Sequence, residues 1–421
     1  MSNSCTAYRI ARYGAPGIYE YPAFPQEKID AGDDKFYFFH RKDTIDTSRK
    51  NISIPANEHL SMDDFLKKSK TTAFLIIRND TILYEKYDHP GYRDKISTFF
   101  SVTKSITSLL VGIAVDEGYI KNVNDPVTEY ITELKTCDPL FQKLTIEHLL
   151  NMQAGLRFNE SYTNPFGSMA KLFYGTNQTA FIKKLKFDKK PGEEYNYNSV
   201  TTAILGMVLE RAVGRSYAEY LEAKVWKPLG MEYGASVSLD DAKNRSAKTY
   251  QGINATAIDL AKIGRLYLNG GNWNGKQIVS KEWIERSIMP CPEEDHLGKN
   301  YYGYQYQWYS NKDSYGFYPD SIGRYRFNDS ISAVRFAEQS AFKYWNIRKY
   351  ANRDNSGYHW AVFAYLPQFY AEGILGQILE VDTERKIIIV RLGRKNWSGR
   401  YNPMWLAGRL VRNSPIVEKK W

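Results

Sequence analysis

The chain is poor in the residues that build most metal and disulfide sites. Its 421 residues include three cysteines and six histidines. No C-x-x-C pair occurs and no two histidines lie four positions apart, which excludes a zinc ribbon and a helical H-E-x-x-H site. The cysteines are too few and too scattered for a disulfide framework; they are Cys5, Cys137 and Cys291.

Long apolar runs and two common catalytic loops are also missing. No stretch of about 18 apolar residues occurs, so no transmembrane helix is predicted. Residues 1–12 lack an apolar signal core, which predicts a cytoplasmic protein if Met1 is the true start. The alternative is that Cys5 is the lipidation stub of a cell-envelope protein. Neither G-x-S-x-G nor G-x-x-x-x-G-K-[ST] is present, so a nucleophile elbow and a P-loop are both unsupported.

What the chain does have is a globular composition with an excess of basic residues. Hydrophobic residues make up 43% and aromatic residues 15%, and two or three structural units are expected. The net charge is +10, from 57 Lys+Arg against 47 Asp+Glu. Basic and acidic residues alternate throughout the chain, which indicates a solvated surface rather than a nucleic-acid-binding face.

The hydrophobic pattern changes period twice along the chain. Residues 73–78 and 81–87 read as strands of a hairpin across Asn79-Asp80, and residues 101–118 read as a helix ended by Gly118. Helical spacing then dominates up to about residue 290, in stretches 146–152, 201–213, 217–226 and 258–268. Strand patterns return at 359–365, 377–381 and 386–392.

This order predicts an α+β fold. An antiparallel sheet is built from N- and C-terminal strands and flanked by helices, and a mostly helical lobe is inserted between them. The expected units are an arm (1–60), a discontinuous sheet domain (61–125 plus 358–421), the helical lobe (126–300) and an aromatic-rich strand and insertion (301–357). We expect the insertion either to form a lid over the pocket or to serve as a packing or oligomer contact.

The first candidate for chemistry is Ser101-Val102-Thr103-Lys104. Residues three apart on a helix lie on one face, and the helix N-terminus favours an alkoxide. A lysine buried there loses its proton readily and can act as a base. The S-x-x-K pattern also occurs at Ser168 and Ser340, but only Ser101 precedes a long apolar helix.

Two further segments must be considered together with the S-x-x-K pattern at Ser101. One is Pro191–Ser199, which contains Tyr197 and Ser199, and the other is a glycine-bearing strand edge at residues 369–377. With S-x-x-K, these resemble the serine β-lactamase and penicillin-binding-protein family, class C β-lactamases included. The resemblance is stronger to its esterase and 6-aminohexanoate-dimer-hydrolase branch. It covers roughly residues 60–412 and is carried by residues 101–120, 144–156, 191–199, 255–284 and 376–393.

The resemblance implies a serine hydrolase that forms an acyl-enzyme without metal or organic cofactor. Ser101 would be the nucleophile, Lys104 would help to deprotonate it, and Tyr197 would pass the proton to the leaving group. The family spacing to Gly206 selects Tyr197 over Tyr195. The resemblance also implies an oxyanion hole formed by the backbone N–H groups of Ser101 and Ile374.

Departures from the family pattern bear on the substrate. Ser199 stands where β-lactamases have asparagine, and Ala371-Glu372-Gly373 replaces Lys-Thr-Gly. We expect Ser199, Glu372 and Gly373 to contact substrate, Gly373 because a Cβ would obstruct the strand edge. A glutamate there repels a carboxylate and favours an amine, unless Glu372 simply points to solvent.

The sequence therefore predicts a small ester, amide or short peptide-like substrate. One alternative is β-lactamase or D-alanyl-D-alanine peptidase activity, against which the missing Lys-Thr-Gly argues. Another is a catalytically silent β-lactamase-like binding module, against which the three intact positions argue.

Overall fold

The computed structural model describes residues 2–14, 17–40, 52–54, 58–288, 303–310, 325–339, 344–351, 357–365 and 368–396. Its α-helices are α1 (Ser2–Tyr13), α2 (Met62–Lys68), α3 (Val102–Asp116), α4 (Ile146–Leu150), α5 (Ser168–Tyr174), α6 (Gln178–Ile182), α7 (Ser199–Val213), α8 (Tyr217–Leu221), α9 (Ala257–Leu268), α10 (Lys281–Ile288) and α11 (Ser330–Gln339). Its strands are β1 (Gln26–Ile29), β2 (Phe39–His40), β3 (Ile52–Ile54), β4 (Glu58–Leu60), β5 (Thr71–Arg78), β6 (Thr81–Tyr87), β7 (Ser97–Thr98), β8 (Ala235–Ser238), β9 (Ile253–Ala255), β10 (Asn272–Trp273), β11 (Lys276–Gln277), β12 (Tyr304–Gln305), β13 (Trp308–Ser310), β14 (Tyr325–Phe327), β15 (Tyr344–Ala351), β16 (Tyr358–Tyr365), β17 (Gln368–Gly373), β18 (Gln377–Asp382) and β19 (Ile387–Gly393).

An eight-stranded sheet joins the two ends of the described chain, which confirms the predicted α+β fold. Its strand order is β12-β13-β17-β18-β19-β5-β6-β2. The N-terminal hairpin β5–β6 meets the C-terminal strands where β5 pairs with β19 in antiparallel register. The hairpin turn is at Asn79-Asp80, as predicted, and both residues have φ near +50° (48° and 57°), the geometry that favours asparagine and aspartate.

The two faces of this sheet differ in what covers them. A row across the sheet formed by Leu75, Val390, Leu379 and Ala371 lies in the main hydrophobic core. Helix α9 packs against β18 and β19, and α3 contacts β17 and β18. Because strand side chains alternate, Phe74, Arg391, Ile378 and Glu372 form the neighbouring row on the opposite face.

The strongest helical patterns were predicted correctly. Most of residues 101–118 form α3, which ends at Asp116 and is followed by Gly118 at φ +75°, and residues 201–213 lie within α7. The stretch 217–226 is α8 followed by a π-helical turn at Glu222–Trp226 rather than one continuous α-helix.

Residues 303–310 form a tight hairpin, where the sequence predicted an aromatic-rich strand within residues 301–357. Tyr306 and Gln307 both have positive φ (48° and 65°) and reverse the chain between β12 and β13. Strand β13 then pairs with β17 at the edge of the central sheet. This hairpin turn is buried beneath the helices that carry the candidate site.

The strand predicted at 359–365 is present as β16 but belongs to another sheet. It pairs with β14 and β15 in a three-stranded sheet. Helix α11 packs on this sheet through Ala333 and Ala337. Residues 301–302, 311–324, 340–343 and 352–356 of the predicted strand and insertion, and residues 366–367 and 397–421 of the predicted sheet domain, lie outside the described residues.

The N-terminal segment packs against the body of the protein. Ile18, Phe24, Ile29 and Phe38 belong to the main hydrophobic core. Strand β1 pairs with β8, and Arg9 donates to the Asp240 carbonyl oxygen at 2.8 Å.

Candidate active site

Ser101 and Lys104 lie at the start of a helix that is buried along most of its length. Phe100 has φ +46°, and Ser101 follows with helical angles (φ −64°) immediately before α3. Lys104 Nζ donates to Ser101 Oγ at 2.8 Å and to the Tyr250 carbonyl oxygen at 3.0 Å. Lys104 is only 1% exposed, whereas Ser101 keeps partial access to solvent. The nucleophile candidate can thus be reached from outside while its neighbouring amine cannot.

Burial changes the proton affinity of this lysine. Loss of hydration disfavours the ammonium and lowers the pKa of Lys104 to about 8, although the nearby Glu160 carboxylate acts in the opposite direction. Near neutral pH, the neutral amine is therefore a substantial minority form. Its lone pair can accept the Ser101 proton.

Tyr197 reaches the same point from the segment that precedes α7. Asn198 caps α7, accepting from the Thr201 N–H at 3.2 Å, which fixes the backbone beside Tyr197. The Tyr197 ring centroid lies 5.1 Å from Lys104 Nζ. Burial, with Tyr162 and Glu160, raises the pKa of Tyr197 well above its ordinary value, while a side-chain hydrogen bond with Ser101 lowers it. Tyr197 is therefore a neutral phenol at physiological pH.

The register that selected Tyr197 over Tyr195 agrees with this placement. Tyr197 contacts both Ser101 and Lys104, and Tyr195 packs against Tyr304 with ring centroids 5.9 Å apart. Gly206, which set the register, lies against Thr249, where a Cβ would be 2.3 Å from the Thr249 hydroxyl.

Ser199 binds a residue that the sequence analysis did not single out. Its N–H and hydroxyl donate to the two carboxylate oxygens of Glu160, at 2.8 and 2.6 Å. Ser199 is 1% exposed, so its hydroxyl hydrogen is committed to Glu160 instead of being presented to solvent.

Glu160 in turn holds Tyr162 near the nucleophile. The Tyr162 hydroxyl donates to Glu160 Oε1 at 2.6 Å, and Tyr162 also shares a side-chain hydrogen bond with Ser101. Both residues come from the loop between α4 and α5, which has no motif. The one available signal was a carboxylate and a tyrosine two residues apart in an otherwise polar loop.

Gly373 places the end of β17 against the start of α3. A Cβ at this position would lie 2.5 Å from the Phe99 carbonyl oxygen and 3.1 Å from the Ser101 nitrogen. The close approach of these two backbones is therefore an additional reason for a glycine at this position. Ile374, the next residue, begins a short 3₁₀ turn at Ile374–Gly376 beside this contact.

Glu372 lies on the sheet face opposite the main core and is exposed. Burial nevertheless raises the pKa of Glu372, although the positive charge of Arg391 on the same face acts in the opposite direction.

The described residues hold no group of three or more His, Cys, Asp or Glu side chains that could bind a metal ion. In the same part of the chain, no helix is both long and apolar enough to cross a membrane.

Comparison with known proteins identifies the family. The beta-lactamase family model matches residues 62–405. The chain belongs to the beta-lactamase family. The match spans α3, the Tyr197 segment and strand β17, so the three parts of the candidate site lie inside the family region.

Two curated proteins are similar to this chain in sequence. A 6-aminohexanoate-dimer hydrolase from Paenarthrobacter ureafaciens is 29% identical over 58% of this chain and 66% of its own. A teichoic acid D-alanine hydrolase from Staphylococcus aureus (strain MRSA252) is 29% identical over 43% of this chain and 44% of its own. The chain thus matches just under two thirds of the first relative and less than half of the second.

Solved structures share the fold of this chain. A protein assigned as a 6-aminohexanoate-dimer hydrolase from Bacillus anthracis aligns with a TM-score of 0.69 at 20% identity, covering 94% of this chain and 92% of its own. A class C beta-lactamase in complex with cefoxitin aligns with a TM-score of 0.51 at 15% identity, covering 83% and 94%.

Proposed function

We propose that this beta-lactamase-family protein is a serine hydrolase that cleaves an ester or linear amide through an acyl-enzyme. The observation that carries the proposal is the 2.8 Å contact between Lys104 Nζ and Ser101 Oγ, in which the amine has a lowered pKa of about 8. A serine hydroxyl beside a partly neutral amine is an activated nucleophile.

Acylation requires two proton transfers. Ser101 Oγ bonds to the substrate carbonyl carbon as its proton moves to Lys104 Nζ, and the carbonyl oxygen becomes an oxyanion. In this proposal the backbone N–H groups of Ser101 and Ile374 stabilise it, an effect worth roughly 3–4 kcal/mol in other hydrolases. The bond to the leaving group then breaks as the neutral Tyr197 phenol protonates the departing oxygen or nitrogen, and the proton on Lys104 restores the phenol.

Deacylation reverses these roles. A water molecule attacks the acyl carbon while the Tyr197–Lys104 pair accepts its proton, and Ser101 leaves as the regenerated hydroxyl. Tyr162, anchored by Glu160 and Ser199, is close enough to Ser101 to hydrogen-bond the reacting group.

The names of the relatives support a small amide or ester substrate. One relative is named for hydrolysis of a 6-aminohexanoate dimer, a linear amide, and the other for release of D-alanine from teichoic acid. Turnover of β-lactams is less favoured, because Ala371 and Glu372 replace the residues that grip the β-lactam carboxylate. A silent binding module is not favoured, because Ser101, Lys104 and Tyr197 are together.

A fluorophosphonate probe followed by intact-mass measurement tests the proposal. We expect one adduct per chain on Ser101, none in Ser101→Ala, and a drop of roughly 10²–10⁴-fold in kcat on p-nitrophenyl butyrate for Tyr197→Phe. Ser168→Ala removes a serine from another S-x-x-K sequence, on α5, and is the matched control that should label normally. Labelling that persists in Ser101→Ala, or its absence from folded wild-type protein, would refute the proposal.

A further inference from the structure

A continuous group of tyrosines connects Tyr197 with Glu372. Ring centroids are 5.7 Å apart between Tyr197 and Tyr304, 4.6 Å between Tyr304 and Tyr309, and 4.9 Å between Tyr309 and Tyr370. The last pair is stacked, with an angle of 10° between the rings, and these residues are direct partners in neighbouring strands. We call Tyr195, Tyr304, Tyr309, Tyr370 and Glu372 the tyrosine–glutamate patch.

Glu372 belongs to this group because of strand geometry. Tyr370 and Glu372 are two residues apart on β17, so their side chains leave the same face of the sheet. Tyr309 lies between the two ends of the patch, because its ring contacts Tyr304 on one side and stacks on Tyr370 on the other. Gly373, the next residue, closely approaches the backbone at Ser101, so the backbone of Glu372 lies near the start of α3.

The carboxylate of Glu372 is open to a ligand. In the described ranges the Glu372 carboxylate makes no hydrogen bond or ion pair, although other residues pack closely around the side chain. Arg391 lies on the same face, next to Ile378 in the row that contains Glu372. Its guanidinium donates to Thr71 Oγ1 at 3.0 Å and to the Gly376 carbonyl oxygen at 2.5 Å.

A carboxylate beside phenol rings selects for positive charge. The ring faces attract a cation through their quadrupoles, and the phenol oxygens and the carboxylate accept its hydrogen bonds. A substrate carboxylate would instead be repelled by Glu372. We infer that the tyrosine–glutamate patch binds a cationic nitrogen carried by the leaving group of the substrate. The leaving group is specified because Tyr304 of the patch contacts Tyr197, the residue that would protonate it, and the inference therefore rests on the proposed function.

Three butyrate esters that differ only in the alcohol test this inference. They are butyrylcholine, its neutral isostere 3,3-dimethylbutyl butyrate, and 3-carboxypropyl butyrate. The quaternary nitrogen of butyrylcholine cannot undergo acyl migration, so hydrolysis is the only reaction measured. We expect kcat/KM to be roughly tenfold higher for the cationic ester than for the neutral one, and lowest for the anionic one.

Glu372→Gln keeps the size and polarity of the side chain and removes its charge. We expect the cationic-to-neutral ratio of kcat/KM to fall toward one in this variant. Glu384→Gln is the matched control, because Glu384 is an exposed glutamate in the turn at the far end of the same sheet and should leave the ratio unchanged.

The outcomes separate this inference from the proposed function. If Ser101 is labelled and the esters are hydrolysed, but wild type prefers the neutral or anionic ester or Glu372→Gln keeps the cationic preference, the inference alone is wrong. If Ser101 is not labelled and no ester is hydrolysed, the proposed function fails and the inference fails with it.

Discussion

At the scale of single residues, the site depends on neighbouring side chains that differ in their exposure to solvent. Lys104 is 1% exposed, while Ser101 and Tyr197 are partly accessible. The same burial lowers the pKa of the lysine and raises that of the tyrosine, because in each case it disfavours the charged form. One group can therefore accept a proton and the other can donate one at the same pH.

Replacing Glu160 with glutamine should change the pH dependence of the reaction. The Glu160 carboxylate raises the pKa of Lys104, which is about 8 in its presence, so removing the charge should lower that pKa further. If kcat/KM requires the neutral amine, activity rises with pH through the lysine pKa, and Glu160→Gln should move this acidic limb to lower pH. Loss of the Tyr162 anchor should also lower the plateau, by roughly tenfold.

The measurement is a pH–rate profile of p-nitrophenyl butyrate hydrolysis. Glu193→Gln, at an exposed glutamate on the loop before Tyr197, is the control and should reproduce the wild-type midpoint. A midpoint that stays in place or moves upward in Glu160→Gln would contradict the assignment of Lys104 as the base.

Sequence alone could locate the residues that stand in a motif but not those that support them. Ser101, Lys104 and Tyr197 follow from spacing within segments that resemble known ones. Glu160 and Tyr162 lie in an irregular loop, and their position depends on the Ser199 hydroxyl 39 residues further along the chain. No local pattern encodes such a contact.

At the scale of elements, the site is the junction of a helix start and a strand end. The N-terminus of α3 and the last residues of β17 approach so closely at Gly373 that no side chain fits between them. This contact brings Ile374, 273 positions after Ser101 in the sequence, next to the proposed nucleophile.

Gly373→Ala should therefore reduce activity by disturbing this junction. The added Cβ would lie 2.5 Å from the Phe99 carbonyl oxygen, so one backbone must move and with it the proposed oxyanion hole. We expect a loss of roughly 10²-fold or more in kcat. Gly118→Ala provides the comparison, because Gly118 has φ +75° but open space around it, so its replacement should lower stability with little effect on kcat.

The measurement combines kcat on p-nitrophenyl butyrate with urea unfolding for both variants. If Gly373→Ala and Gly118→Ala lose the same stability and also the same kcat, Gly373 acts only through folding.

The hairpin β12–β13 shows why one element was predicted incompletely. The Gln307 side chain accepts from Thr202 Oγ1 at 2.9 Å and donates to the Leu149 carbonyl oxygen at 2.9 Å, and Ser105 Oγ donates to its backbone carbonyl at 2.6 Å. Tyrosine and glutamine are unusual at positive φ, so the turn has no local signal. Hydrogen bonds from three helices impose it.

At the scale of the whole molecule, the sequence predicted the sheet better than its surroundings. Strong apolar runs such as 73–78 and 386–392 determine which strands lie in the centre, since only buried positions accept them. The sequence of strand β16 is a similarly strong apolar run, yet this strand joins the separate sheet with β14 and β15. Pairing partners depend on the other strands available, which a single run cannot specify.

Arg265 connects three distant parts of the molecule. Its guanidinium on α9 donates to both carboxylate oxygens of Asp80, at 2.7 and 2.8 Å, in the turn of the N-terminal hairpin. It also lies 4.6 Å from the Phe36 ring centroid of the N-terminal segment and 4.3 Å from that of Trp273. Arg265→Met should lower the free energy of unfolding by roughly 2–4 kcal/mol, because the ion pair and both ring contacts are lost together.

Urea unfolding measures this effect. Arg211→Met is the matched control, since Arg211 pairs with Glu133 at 3.0 Å but is mostly exposed, and we expect a change of at most about 1 kcal/mol. Similar losses for the two variants would mean that the Arg265 cluster contributes no more than a surface ion pair.

The pairing of β5 with β19 also determines when the protein can fold during synthesis. Ile76 is the partner of Ile389, more than 300 residues later, so β5 leaves the ribosome long before the strand that completes its hydrogen bonds. At about 5–20 residues per second this delay lasts from roughly 15 seconds to one minute. Seven of the eight β5 residues are buried in the finished sheet, so the nascent chain presents an apolar strand with one unpaired edge during that time. Chaperone binding to this segment is the expected consequence, and the N-terminal hairpin is where aggregation of an unfinished chain would begin.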